Sequence, residues 1–163
     1  MLGVFVLLAD FFTKQLVVET LPLMSYHQPY YPYGGVGVFQ NLFGLEFSIV
    51  HAINRGAAWG MFANWQTYLM IVRFLLIGVL VVYFLFYNKK RSWNIPLALI
   101  IAGALGNIID YFLYGHVIDM FHFILWGYDY PVFNLADSAI FLGIASLFVI
   151  TWLEKKTIKT LSH

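Results

Sequence analysis

Long apolar runs separated by short polar breaks dominate this chain. Four of them, residues 1–18, 66–87, 94–113 and 134–153, reach the length a helix rising about 1.5 Å per residue needs to cross a hydrocarbon core about 30 Å thick. The first run is the shortest and carries Asp10 and Lys14, so an N-terminal signal peptide is its rival reading. The acid precedes the base by four residues, however. Both then lie on one helix face, where they neutralise each other inside a bundle, and a cleavable leader needs no such pair.

The connections divide by pattern. Pro22, Pro29, Pro32 and Gly34-Gly35 exclude a regular helix from residues 22–37. In residues 45–50, Leu-Glu-Phe-Ser-Ile-Val approaches the period-two alternation of a half-buried strand, and Asn54-Arg55-Gly56 supplies a turn. Small residues and aromatics follow from Gly56 to Trp65, the aromatics suiting a belt at headgroup level.

Composition confirms the class: 163 residues, 61% hydrophobic, 20% aromatic and 10% charged, describe one small multi-pass membrane domain over residues 1–163. The net charge of +1 conceals a segregation. Lys89, Lys90, Arg91, Lys155, Lys156 and Lys159 follow the second and fourth runs, while residues 19–65 and 114–133 contain only Arg55. By the positive-inside rule both termini are cytoplasmic, and the two poorly charged connections are the outer loops. No basic groove with interleaved aromatics suggests a nucleic-acid partner. Cysteine is absent, which excludes disulfides, a thiol nucleophile and a cysteine metal site.

Polar groups inside such a chain mark candidate chemistry. In the third run Gly103, Gly106, Asn107 and Asp110 share one face, the small residues admitting a neighbouring helix and the polar ones turned to the bundle. Asp110 reads equally as part of a structural hydrogen-bond network, and so do Asp10 and Lys14. If Asn134 caps the fourth helix, Asp137 falls at its N3 position and reaches back to the cap, near the positive helix end. Asp119 has no such explanation in the apolar stretch Val117-Ile118-Asp119-Met120-Phe121. Together, Asp119 and Asp137 suit a dyad that activates a water, with Asp137 ionised and Asp119 protonated by its apolar surroundings. Two rival sites stand beside it: His116, Asp119 and His122 have metal-ligand residue types without a standard zinc spacing, and Ser138 with Lys14 has the types of a nucleophilic pair. Arg73 either snorkels to a headgroup or meets a buried carboxylate.

Five strings in order, Asp10-Phe-Phe-Thr-Lys14, Asn54-Arg-Gly-Ala-Ala-Trp-Gly60, Gly103-Ala-Leu-Gly-Asn107-Ile-Ile-Asp110, Gly115-His-Val-Ile-Asp119 and Phe133-Asn-Leu-Ala-Asp-Ser138, resemble lipoprotein signal peptidase, the type II signal peptidase of bacteria. The resemblance runs from Asp10 to about Leu153. It implies an α-helical integral membrane protein of four transmembrane helices with a small extracytoplasmic β-cradle and a short interfacial helix. It also implies an intramembrane aspartic endopeptidase of the bacterial cytoplasmic membrane, acting on diacylglyceryl-modified prolipoprotein just before the lipidated cysteine. Asp119 and Asp137 correspond to the family's catalytic pair. Asp10, Lys14, Asn54, Gly56, Asn107, Asp110 and Asn134 correspond to its substrate-binding or supporting set. Globomycin sensitivity is implied too. The expected partners are the substrate and membrane lipids, with a monomer, no cofactor and no metal.

The chain departs from the family at Tyr111, where Arg is usual, at Arg55, where a small polar residue is usual, and at Trp59 and Met120, where Phe is more common. Arg55 is a candidate compensation for Tyr111. The competing function is a small non-enzymatic transporter or lipid-binding membrane protein, which calls for ionisable groups throughout the membrane depth. All acidic residues except Glu154 lie toward the outer half instead.

Overall fold

A computed structural model describes residues 1–24, 29–55 and 65–161. Its elements in chain order are α1 (Leu2–Thr20), β1 (Val36–Leu42), β2 (Leu45–Asn54), α2 (Gln66–Val82), α3 (Asn94–Tyr114), β3 (Val117–Leu125), β4 (Tyr128–Asp129) and α4 (Leu135–Leu161). A π turn, Tyr83–Tyr87, prolongs α2, and a 3₁₀ turn, Arg91–Trp93, leads into α3. Three helical stretches, Thr67–Tyr87, Arg91–Tyr114 and Leu135–Lys156, are long and apolar enough to cross a membrane. α1, a continuous helix that carries Asp10, Lys14 and Glu19, is not among them.

The helices stop where their sequences dictate. Pro96 sits in the first turn of α3, where its missing N–H is no loss. Gly115 ends α3 in the left-handed conformation at φ 76°, its N–H donating to Tyr111 O at 2.9 Å. α3 and α4 approach closely at two glycines: a Cβ on Gly103 would run into Ala136 O and Ile140, and one on Gly143 would lie 2.6 Å from the Ile100 side chain and 2.7 Å from Pro96 O. This is the close approach expected from the small residues of α3. The helices also expose large apolar side chains, as with Val79 of α2 at 69% and Phe148 of α4 at 74%.

Beside one end of this bundle lies a four-stranded antiparallel sheet in the order β1-β2-β3-β4. It packs on α1 through a small core of Val17, Ile118 and Met120, flanked by Leu21, Ile49 and Phe121. The expected strand at residues 45–50 is the first part of a longer β2, and Asn54 ends that strand before Arg55 bends away. β3 was not foreseen from the pattern because residues 117–120 are all buried and show no alternation. β1 begins at Val36, inside the segment expected to be irregular, and α4 runs past residue 153 to Leu161. The implied interfacial helix has no counterpart among the described residues of the two connections; Gly56, Trp59 and the rest of residues 56–64 lie outside them.

Candidate active site

Asp119 and Asp137 are brought to one place by unrelated routes. Asp137 comes from local sequence. Asn134 caps α4, accepting the Asp137 N–H on Oδ1 at 2.8 Å, while its own N–H donates to Asp137 Oδ2 at 3.3 Å. This is a reciprocal capping box at the positive end of a helix. Asp119 comes from strand pairing: β3 runs antiparallel to β2 with Ala52 opposite Asp119 and Asn54 opposite Val117, after a register shift between Ile49 and Ala52. Such an irregularity re-aims the side chains beyond it. Asn54 Nδ2 then donates to Asp119 Oδ2 at 2.9 Å.

One residue joins the two aspartates. Asn134, fully buried, shares the two N–H groups of its Nδ2 among Asp119 Oδ1 at 2.7 Å, Asn107 Oδ1 at 3.0 Å and Ile118 O at 3.1 Å, while its cap bonds hold Asp137. Asn107 donates from Nδ2 to Asp137 Oδ1 at 2.8 Å. Burial, and secondarily the Asp137 charge, pushes the Asp119 carboxyl up from its ordinary 3.8 to about 7 despite its two amide donors. A carboxyl that holds its proton toward neutrality has the property that a general acid requires.

A second polar layer lies behind them. Lys14 Nζ is 2.7 Å from Asp10 Oδ2, 2.7 Å from Asp110 Oδ2 and 3.0 Å from Asn107 Oδ1, with all three charged side chains buried. Asp10 Oδ1 accepts the Ala136 N–H at 2.8 Å, and Asp110 Oδ2 accepts the Ile118 N–H at 3.1 Å. Of the nine site residues implied by the family resemblance, eight therefore form one connected network; the ninth, Gly56, lies outside the described residues. The Ile118 and Ala136 amides could not be foreseen, since backbone donors leave no mark in composition.

The rival sites do not assemble. His116 lies ahead of β3, and His122 is an odd step from Asp119 along it, so the two side chains point to opposite faces of the strand. His122 instead meets Asp129 Oδ1 through Nε2 at 2.9 Å and packs edge-on against Tyr33. Ser138 donates to Asn134 O at 3.0 Å, and Lys14 is occupied by its carboxylates. Tyr111 is half-buried on α3 and Arg55 is exposed at the end of β2.

The sequence matches the family model for signal peptidase (SPase) II over residues 2–153. The chain belongs to the signal peptidase II family. It is 33% identical over 164 residues to the lipoprotein signal peptidase of Anoxybacillus flavithermus (strain DSM 21510 / WK1), a match covering 99% of this chain and 89% of that protein. Two solved structures of bacterial membrane enzymes obtained by the in meso method, at 2.3 and 1.9 Å resolution, are each 29% identical to it. Their TM-scores are 0.78 and 0.72, with coverage of 96% and 91% of this chain and 88% of each of theirs. As a signal peptidase II this is a bacterial membrane endopeptidase.

Asn134 makes a specific prediction at this site. Asn134→Ala removes the α4 cap and a donor to Asp119, so stability should fall by about 2 kcal/mol. The turnover number should fall about 100-fold, a typical loss when positioned acid–base groups are displaced. Thermal unfolding and steady-state kinetics on one preparation check both.

Proposed function

We propose that this peptidase removes the signal peptide of diacylglyceryl-modified prolipoproteins just before the lipidated cysteine, with Asp119 and Asp137 as its catalytic pair. The observation that carries the reading is the shared grip of Asn134, which ties a carboxyl on a strand to a carboxylate at a helix start.

Asp137 is the base. It accepts two N–H groups at a helix N-terminus, a setting made for a carboxylate. It takes a proton from a water whose oxygen attacks the scissile carbonyl carbon, while Asp119 gives its proton to the carbonyl oxygen. Asp137 then passes the acquired proton to the departing amide nitrogen as the C–N bond breaks. A hydroxyl of the tetrahedral carbon returns a proton to Asp119, and both carboxyls end as they began.

The chemistry requires a protonated Asp119, so activity is expected to decline as pH rises through about 7. An acid with a raised pKa keeps its proton below that value and loses it above. A kcat/KM profile between pH 5 and 9 checks this; a flat profile from 6 to 9 contradicts the assignment. In Asp119→Asn, any residual activity should lack that decline.

The same reading takes residues 1–163 as one domain with four spans, both termini cytoplasmic, and the pair facing the outer side of the cytoplasmic membrane between outer loops 19–65 and 114–133. Lys14 satisfied by carboxylates supports α1 as the fourth span. Lys90 pairs with Glu154 and so joins the α2–α3 connection to the basic end of α4. The protein acts as a monomer among lipids and is inhibited by globomycin.

A further inference from the structure

We propose that the end of α2 beside Lys89-Lys90-Arg91 is a binding site for an anionic phospholipid, with an acyl chain in a groove of α2 and the phosphate between Lys89 and Arg91. The inference is independent of the catalytic reading and needs only that α2 lies in a membrane.

The groove is lined almost entirely by apolar atoms. Phe74, Leu75, Val79 and Val82 border it along the helix, and Tyr83 and Tyr87 close its far end. From Phe74 to Tyr87 the helix rises about 20 Å, somewhat more than the roughly 15 Å of hydrocarbon in one leaflet. Nearer the start of α2, Gln66, Thr67 and Arg73 interrupt the apolar pattern. The apolar face therefore serves one leaflet rather than two. A second helix packed along it would run against those polar positions, whereas an acyl chain ends before it reaches them.

The other end of the groove is ordered and charged. The π turn closes with the Asn88 N–H donating to Tyr83 O at 2.8 Å. Asn88 then fixes the chain beyond it, accepting the Lys90 N–H on Oδ1 at 3.1 Å and donating from Nδ2 to Asn94 Oδ1 at 2.8 Å. Lys90 pairs with Glu154 and lies 4.9 Å over the Trp93 ring. Glu154 is the only acidic residue in residues 66–109 and 138–163, so one cation of the three is matched. Lys89 and Arg91 are exposed.

A phosphate suits those two cations, since a guanidinium offers it paired N–H donors and an ammonium a point charge. Tyr83 and Tyr87 present rings to the chain and hydroxyls to the headgroup level. A basic tract directly after a span attracts anionic lipid for the same reason. Neither half of the site accounts for the other alone. A neutral lipid leaves the two charges unmatched, and a soluble phosphate leaves the groove empty.

The test uses the whole protein in detergent, titrated with phosphatidylglycerol or with phosphatidylcholine of the same chains and read by native mass spectrometry, with thermal unfolding as the check on each variant. The parent should prefer phosphatidylglycerol. Lys89→Gln combined with Arg91→Gln should weaken phosphatidylglycerol about 30-fold, at about 1 kcal/mol per cation, and leave phosphatidylcholine unchanged. Lys155→Gln combined with Lys156→Gln, an equal loss of charge on α4, should leave both lipids unchanged. Val79→Trp, which fills the groove from an exposed position, should weaken both lipids about tenfold, the loss of about two buried methylenes. No preference in the parent, parental binding in either the charge variant or Val79→Trp, or an equal loss in the α4 variant overturns the proposal. A monomer–dimer shift in Val79→Trp with lipid binding unchanged assigns the groove to a second copy of the chain and overturns it too. If the variants do not fold, the parent decides: phosphatidylglycerol with a photoactivatable acyl chain should label residues 74–87, and labelling spread evenly over all the helices contradicts the site.

Discussion

Asp119→Asn and Asp137→Asn are each expected to lower kcat by about 1,000-fold or more, with KM little changed. General acid and base contributions are commonly about 100- to 10,000-fold each, and the two steps here share one intermediate, so losing either partner stops the cycle. The variants should differ in stability. Asp119 accepts amide donors on both oxygens, from Asn54 at 2.9 Å and Asn134 at 2.7 Å. An Asn there must turn its NH2 toward one of those donors, leaving buried N–H groups unpaired at about 1–3 kcal/mol. Asp137 also accepts on both oxygens, from Asn107 Nδ2 and the Asn134 N–H, but its second contact is long at 3.3 Å and it is only partly buried. The milder loss is therefore expected in Asp137→Asn. Equal rates with KM raised instead would show that these residues hold substrate rather than act on it.

Gly106→Val is expected to be the most damaging change away from the pair. A Cβ at Gly106 would lie 2.5 Å from Asp10 Oδ2 and 3.3 Å from Ala136 Cβ. The Asp10 carboxylate cannot retreat freely, being held by Lys14 at 2.7 Å and by the Ala136 amide at 2.8 Å. The branched side chain thus separates α3 from α4 or ejects Asp10 from its partners. Overpacking costs about 1–3 kcal/mol, and a broken buried ion pair adds about 3–5 kcal/mol. Loss of folded protein during purification, with no measurable cleavage, is the expected outcome. Gly78→Val, whose Cβ would meet nothing within 4 Å, serves as the control and should remain folded and active. A folded, active Gly106→Val would show that the contact between α1, α3 and α4 is looser than the geometry requires.

Local relationships were legible in the sequence, and long-range ones were not. The Asp10–Lys14 pair is a four-residue helical spacing, and the Asn134–Asp137 box a three-residue one, so both could be read directly. Asp110 was undecided between structure and chemistry because its partners, Lys14 and the Ile118 amide, come from other elements. Asp119 taken alone was an awkward acid, and only beside Asp137 a dyad candidate; its Asn54 and Asn134 donors could not be read, since they depend on the β2–β3 register and on the return of the chain into α4. β3 hid itself by being buried on both faces. β1 was masked by neighbouring prolines and glycines, and its side chains are almost all exposed, so burial left no alternation to detect. The ligand-like spacing of His116, Asp119 and His122 was misleading because His116 precedes β3 and the odd step from Asp119 to His122 along the strand changes face.

The most direct test is cleavage of a diacylglyceryl-modified prolipoprotein by the purified protein, followed by mass spectrometry of the products, with and without chelator and with Asp119→Asn and Asp137→Asn in parallel. The account predicts a single cut just before the lipidated cysteine, unaffected by chelator and lost in both variants. Full activity in either variant, or loss of parental activity on adding chelator alone, would contradict it.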